Sequence, residues 1–430
     1  MSKKIIQKLK KLFRDSKKKN STACHIVERS KHTISRSNIN PNALKVLHRL
    51  KDAGYAAFLV GGGVRDILLG RSPKDFDVAT DAHPDKIRRL FRNSRIIGRR
   101  FQLVHVFYPG DIIEVSTFRA NIEMQASTHT HSRAQVIARD NTFGTIEEDA
   151  WRRDFTINAL YYNITDFSVV DYTTGMEDLK HRLIRMIGDP AQRYHEDPVR
   201  LLRAIRFCAK LDFGMEENTE SALKSLSHLL RHVPSARLFD ECLKLFFEGN
   251  AWVTYQKLQH YHFFSVLFPQ TARVLQENPP PSDEAIISLA MQSTDARVRT
   301  GESTNPGFLL AVILWPVFRS QWSVMKDQRE QYFPRLHQLV NDVIKVQLEA
   351  VSIPRRLQFM MQAIWLLQFQ LEKRRPKRIL VLLQNRYFRA AFDFMGLRVQ
   401  AGEVTSDIFE WWKEFQFAIP ERQQAMIGKL

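Results

Sequence analysis

Long apolar runs are scarce in this 430-residue chain. The longest, residues 308–318, is interrupted by Pro316 and falls short of the roughly twenty apolar residues that a bilayer span requires, so it reads as a buried helix. Cysteine is scarcer still: Cys24, Cys208 and Cys242 stand far apart, odd in number and with no Cys-x-x-Cys pair. That argues against a disulfide framework and a thiolate zinc site, and it fits a reducing cytoplasm. The first residues hold neither the continuous apolar core nor the small-residue cleavage site of a secretory signal. No solenoid-type repeat runs through the chain. Acidic residues are outnumbered, 46 Asp and Glu against 64 Lys and Arg, for a formal net charge of +18. A surplus of that size points to a polyanionic partner, either nucleic acid or an anionic membrane surface.

What is present divides the chain unevenly. Residues 1–31 open with MSKKIIQKLKKLFRDSKKKN, in which Ile5, Ile6, Leu9, Leu12 and Phe13 share one helical face and lysines occupy the others. A basic arm on RNA, a helix lying on anionic membrane and a disordered tail all stay open for it. Residues 40–51 predict a short helix, with Asn40 as N-cap and Pro41 at the first helical position. From there to about residue 185 the pattern is mixed, with strand-like runs at 56–60, 76–79, 95–97, 103–108 and 112–117 and a helix-like stretch at 84–91. Beyond about residue 190, where Asp197 and Pro198 repeat the cap-and-proline signal, strand signals nearly vanish and helical periodicity continues to the C-terminus. Residues 279–281 and 293–306 read as loops between helical blocks. The expected fold class is α+β, an α/β head followed by an all-helical neck and body.

The chemistry concentrates in LVGGGVRDILLGRSPKDFDVAT, residues 59–80. A strand ends in three glycines, a helix begins at about Val64, and a second strand carries Asp75 and Asp77. Glycine at such a junction lets backbone N–H groups approach a phosphate with no Cβ in the way, and a helix N-terminus adds a favourable field. Arg65, just inside that helix, could reach the same anion; by itself, though, the turn is equally a tight strand-to-helix connection. Asp75 and Asp77, two apart on a strand, point to one face. Adjacent carboxylates are costly unless a cation neutralises them, although an isolated Asp-x-Asp is more often a solvated strand face. Glu114, in IIEVSTFR, adds a third carboxylate if its strand pairs beside 76–79. Three acidic groups facing a glycine-lined cradle suit two Mg²⁺ ions acting on a nucleoside triphosphate, one acidifying an attacking 3′-hydroxyl and the other holding the triphosphate.

VGGGVRD followed by KDFDV, then RRDFTINALYYN (152–163) and EDPVRLLRAIRF (196–207), resemble in order the motifs of the class II tRNA nucleotidyltransferase and bacterial poly(A) polymerase superfamily. The resemblance implies a catalytic nucleotidyltransferase head at 32–185, a neck at 186–250 that selects the nucleotide, and a body at 251–430 that binds RNA. It implies that Asp75 and Asp77 bind metal with Glu114 as third acidic partner, and that Gly61, Gly62, Arg65 and Arg153 contact the incoming triphosphate. Asp154 would hold the sugar or support the active site. Asp197 and Arg200 would present a side-chain template to the base edge, with Arg203 one helical turn away on the same face.

Within the superfamily, GRRFQLVHV (98–106), the lead-in at 32–55, the stretch at 364–398 and WWKEF (411–415) resemble the poly(A) polymerase branch. That branch implies a cytoplasmic, monomeric enzyme of RNA processing and decay, using ATP and magnesium to add AMP to RNA 3′ ends. CCA addition to tRNA is the first alternative. A non-catalytic RNA-binding protein on a polymerase scaffold is the second, and the presence of both aspartates weighs against it. Lys373, Arg374, Arg375, Lys377 and Arg378 form a cluster beside Trp365, Phe369 and Tyr387, where cations would hold RNA phosphates and aromatics could stack on bases; a solvated charge run over buried aromatics is the other reading. His129 and His131 resemble a metal pair only superficially.

Overall fold

The computed structural model describes residues 24–98, 102–120, 142–277, 279–325 and 332–430. The expectations for the lysine-rich stretch up to residue 23, for residues 99–101 and for His129 and His131 lie outside these. The chain forms two compact units, one of residues 1–193 and 213–222, the other of residues 194–212 and 223–430.

The first unit is built on an eight-stranded mixed sheet in the order β1-β8-β7-β2-β3-β6-β5-β4. Its strands are β1 (His25–Val27), β2 (Ala57–Val60), β3 (Asp77–Thr80), β4 (Ser94–Ile97), β5 (Leu103–Tyr108), β6 (Asp111–Thr117), β7 (Leu160–Asn163) and β8 (Val169–Asp171). The predicted strands at 56–60, 95–97, 103–108 and 112–117 are all present to within a residue. β1, β7 and β8 were not anticipated: β7 and β8 are buried along their whole length and so lack alternation, and β1 and β8 are three residues long. Helix α1 (Pro41–Asp52) packs on β2, β3 and β6. Its start is fixed as expected: Asn40 Oδ1 accepts from the Asn42 N–H at 2.7 Å, and Asn40 and Asn42 both donate side-chain bonds to Asp111. Phe58, Val60, Ala79, Phe118, Tyr161 and Val170 form part of the core of this unit. Helices α2 (Gly62–Leu68), α3 (Pro84–Leu90), α4 (Ile146–Trp151) and α5 (Gly175–His181) complete what positions the site.

The second unit is helical. It contains α6 (Val199–Leu211), α7 (Ser235–Phe246), α8 (Ala251–His260), α9 (Pro281–Arg299), α10 (Pro306–Met325), α11 (Arg355–Lys373), α12 (Phe388–Gln400) and α13 (Ser406–Phe415), among others. The apolar run at 308–318 lies in α10 with Pro316 inside the helix, and residues 309–315, 317 and 318 are all buried. Residues Pro306–Val324 are long and apolar enough to cross a membrane by length and composition, but most of that stretch is buried within the protein. The loop expected at 293–306 is corrected, because α9 continues through it to Arg299. The polar residues that suggested a loop face inward: Asp295 caps α8 by accepting from the backbone of Ala251 and Trp252, and the Thr294 hydroxyl donates to Ala290 O.

Candidate active site

The site begins where β2 ends. Gly61 follows Val60 with φ +74°, in the left-handed region that glycine alone enters without cost. Its N–H donates to Leu160 O at 3.3 Å and its carbonyl accepts from the Arg65 N–H at 3.1 Å, so the turn is tied to β7 and to α2. A β-carbon at Gly63 would lie 3.3 Å from Asp75 O, so the second glycine of the helix lets α2 close onto the chain entering β3.

Two of the carboxylates, Asp77 and Glu114, meet from neighbouring strands. β3 and β6 are parallel, with Val78 opposite Val115; one step earlier that register sets Asp77 beside Glu114. The strand expected at 76–79 begins only at Asp77, so Asp75 is not on the strand but in its lead-in, behind Pro73, and is exposed. Asp75 and Asp77 are therefore not set side by side by strand alternation: Asp75 precedes the strand that Asp77 opens. Burial pushes the Asp77 carboxyl up to about 6, the Glu114 charge and then the Asp75 charge add to the rise, and Arg153 opposes it. Across β5, His105 Nε2 stands 3.4 Å from Glu114 Oε2, in register with it. Among the described residues, no group of three or more His, Cys, Asp or Glu side chains is placed to hold a metal ion unaided.

Arg153 supplies the positive charge. Its Nε and Nη2 donate to Asp149 Oδ2 at 3.3 and 3.1 Å, and Nε also lies 3.0 Å from the Tyr161 hydroxyl. Its Nη1 points the other way, 3.5 Å from where a β-carbon on Gly61 would be. Arg65, by contrast, is 3% exposed and is turned inward to Asp66 and to Asn158 Oδ1, the latter at 2.7 Å. Gly62 lies against that same guanidinium. Asn158 in turn donates to Asp154 Oδ1 at 3.3 Å, and Asp154 Oδ1 accepts from the Phe155 N–H at 2.8 Å. Arg65, Asn158 and Asp154 thus form a relay beneath the glycine turn.

The remaining expected residues belong to the second unit. Asp197 Oδ1 accepts from the Val199 N–H at 3.2 Å, so it caps α6 as expected, but from one residue further out, with Pro198 at the boundary. Asp197 Oδ2 accepts from Arg237 at 2.8 Å, Arg200 donates to Glu196 at 2.8 Å, and Arg203 lies over the Phe207 ring. In the basic cluster, Lys373, Arg375, Lys377 and Arg378 are exposed, while Arg374, at φ +40°, ends α11 and lies over Trp411. Of the three aromatics expected to stack on bases, Tyr387 is half-buried with the Arg386 guanidinium 4.6 Å from its ring centre, and the other two are turned inward. Trp365 is fully buried and donates to Ala311 O, and Phe369 packs against Phe318 and Trp322. Asp149, Tyr161, Asn158 and His105 escaped the sequence reading, although Asn158 and Tyr161 stand inside the quoted RRDFTINALYYN.

A glycine turn, carboxylates meeting on parallel strands and an arginine aimed at the turn define a nucleotidyltransferase. Residues 57–185 match the poly A polymerase head domain, 212–275 a probable RNA and SrmB-binding site of polymerase A, and 328–430 the polymerase A arginine-rich C-terminus. Poly(A) polymerase I of Salmonella typhimurium is 47% identical over 411 residues, 94% of this chain and 88% of that one. The chain belongs to the poly(A) polymerase family. A CCA-adding enzyme of Lactobacillus helveticus is 42% identical over 206 residues, 47% of this chain and 49% of its own. A solved tRNA-processing enzyme, 22% identical, shares the fold with a TM-score of 0.60 over 88% of this chain and 94% of its own.

Proposed function

We propose that this enzyme extends RNA 3′ ends without a template, transferring AMP from ATP with release of pyrophosphate. It is a polynucleotide adenylyltransferase. The observation that carries polyadenylation over CCA addition is the span of the likeness: a poly(A) polymerase is matched along nearly the whole chain, a CCA-adding enzyme along about half.

The Asp77 carboxyl is raised first by burial and then by the charges of Glu114 and Asp75, and a bound divalent cation would relieve that cost. Asp75 and Asp77 would hold magnesium, whose charge when bound would acidify the 3′-hydroxyl and steady the triphosphate. Two carboxylates completed by phosphate oxygens and water is the set this ion ordinarily uses, so a third protein ligand is not needed. Glu114 sustains the negative field beside Asp77. Arg153 Nη1 meets the polyphosphate over the Gly61 turn, and Arg65 and Asn158 support Asp154 beneath it. Asp197 and Arg200, with Arg203 on the same helix, read the base edge, and the exposed cations at 373–378 hold RNA phosphates. None of Cys24, Cys208 and Cys242 is in a disulfide, and Cys208 and Cys242 are buried, which suits a reducing cytoplasm. The lysine-rich segment before residue 24 has the composition to contact an anionic membrane.

Incubation with generic RNA and with tRNA lacking its terminal nucleotides, each with ATP or CTP alone, tests the reading. Long A tails on generic RNA are expected; CTP addition that stops after a fixed count on tRNA would overturn it.

A further inference from the structure

A carboxylate with no solvent exposure is an expensive thing to bury, and Asp149 is such a group. It sits on α4, and its two oxygens are saturated. Oδ1 accepts from the Arg119 N–H at 3.2 Å and from Arg152 through Nε at 2.9 Å and Nη2. Oδ2 accepts from Arg153 Nε and Nη2 and from the Tyr161 hydroxyl, the last at 2.6 Å. Burial alone would push the Asp149 carboxyl up, yet Arg153 and Arg152 outweigh it and hold it down at about 2. The carboxylate is therefore charged at every working pH.

Neither Asp149 nor Tyr161 reaches the glycine turn or the metal carboxylates through any bond of its own. What they share is Arg153. Tyr161 is rigid: it lies on β7 with no exposure, and its ring is set edge-on against Phe58 and Phe118. The Arg153 guanidinium lies 5.4 Å from the centre of that ring and donates to its hydroxyl. The main chain is pinned as well, because Arg193 Nη2 donates to both Arg152 O and Arg153 O at 2.7 Å. The guanidinium is thus fixed along its Nε–Nη2 edge, against one face and at its backbone. The nitrogen left over, Nη1, is the one directed at Gly61. One carboxylate is shared by two arginines, so a positive charge remains to meet a polyanion.

We propose that Asp149 and Tyr161 are positioning residues that aim Arg153 Nη1 at the polyphosphate of the incoming nucleotide. The proposal rests on the reading of Arg153 as a triphosphate contact. A pre-aimed cation in a water-poor site does not reorganise when the nucleotide arrives. Without the Tyr161 hydroxyl the guanidinium keeps Asp149 but loses a bond at Nε. Each hydrogen bond to a charged group contributes about 1.5 kcal/mol or more, or about tenfold in an equilibrium constant.

The test uses the full chain and inorganic tripolyphosphate as a competitive inhibitor, alongside steady-state kinetics with ATP and with RNA. Tyr161→Phe keeps the ring and the core packing. It is expected to raise the KM for ATP and the tripolyphosphate inhibition constant together, by about tenfold, with the KM for RNA little changed and the melting temperature lowered by several degrees, since the hydroxyl also donates to the buried Asp149. Asp149→Asn is expected to act in the same direction and more strongly; should it fail to fold, Tyr161→Phe carries the test. A Tyr161→Phe enzyme with unaltered ATP KM and tripolyphosphate inhibition, or one that loses only stability, overturns the positioning role. Arg153→Lys separates the positioning role of Asp149 and Tyr161 from the triphosphate contact of Arg153 itself. It is expected to lose tripolyphosphate inhibition, and if inhibition persists undiminished, the reading of Arg153 itself fails.

Discussion

Asp77 and Glu114 stand side by side on the parallel strands β3 and β6, one register step before the Val78–Val115 pair, and the charge of the second helps to raise the carboxyl of the first. The relationship makes Glu114 an electrostatic partner of Asp77, and His105 holds it from the far side at 3.4 Å. Glu114→Gln is expected to lower kcat about a hundredfold, the usual cost of removing a preorganised charge from a polar site. His105→Ala should cost less, about threefold to tenfold, since it removes only the hold on Glu114. Steady-state incorporation of labelled AMP measures both. Wild-type turnover in Glu114→Gln would separate it from the chemistry.

Gly61 combines φ +74° with a guanidinium 3.5 Å from the missing side chain. Gly61→Ala puts a side chain on a backbone conformation, φ +74° and ψ −133°, that only glycine adopts readily, at a cost of about 1–3 kcal/mol, and sets a methyl group in contact with Arg153 Nη1. The expected result is a higher KM for ATP with an unchanged KM for RNA, read from initial rates. An unchanged ATP KM would mean that the turn does not face the nucleotide.

Asp149 makes the acid stability of the head predictable. Its folded value of about 2 lies below the unfolded value of about 3.9, so the stability it lends is fully present above pH 4 and is lost as pH falls towards 2. The contribution is on the order of 2 kcal/mol. Acid unfolding followed by circular dichroism should show a transition in this window that flattens in Asp149→Asn. An acid limb identical in the two proteins would contradict it.

In the helical unit, Arg398 is 6% exposed, pairs with Glu372 and Glu403, donates to Gln368 and lies over the Trp315 ring. Arg398→Met leaves buried acceptors unpaired and is expected to destabilise by about 3 kcal/mol, which for a unit of this size lowers its melting midpoint by roughly 10 °C. Calorimetry checks this. A midpoint within a degree of wild type would show that the neighbouring acceptors rehydrate freely.

The legible parts of the site were those whose residue type alone dictates a local task. Gly61 had to turn, Glu114 lay on a strand with clear alternation, and Asp77 opened a strand whose apolar partners were evident. Asp75 was placed on that strand because period two extends backwards without a marker, yet Pro73 interrupts the regular chain just before it. Asp149 and Tyr161 were invisible for a different reason: an acid near a helix end and a tyrosine in an apolar strand acquire meaning only when β7 and α4 are brought together. Trp365 and Phe369 sit beside a basic cluster in sequence, but which face of α11 turns inward is decided by its packing on α10 and α12. The helix across 293–299 was missed because inward polar side chains look like loop composition until their bonding partners in α8 are known.

The most direct test of the account is AMP incorporation by Asp77→Asn, measured on generic RNA with ATP and magnesium beside a melting curve. The substitution keeps the shape of the side chain and removes the charge that would hold the cation. Loss of incorporation by at least a thousandfold, with the melting temperature unchanged or raised, is the predicted result. Incorporation within tenfold of the wild-type enzyme would contradict the two-aspartate site.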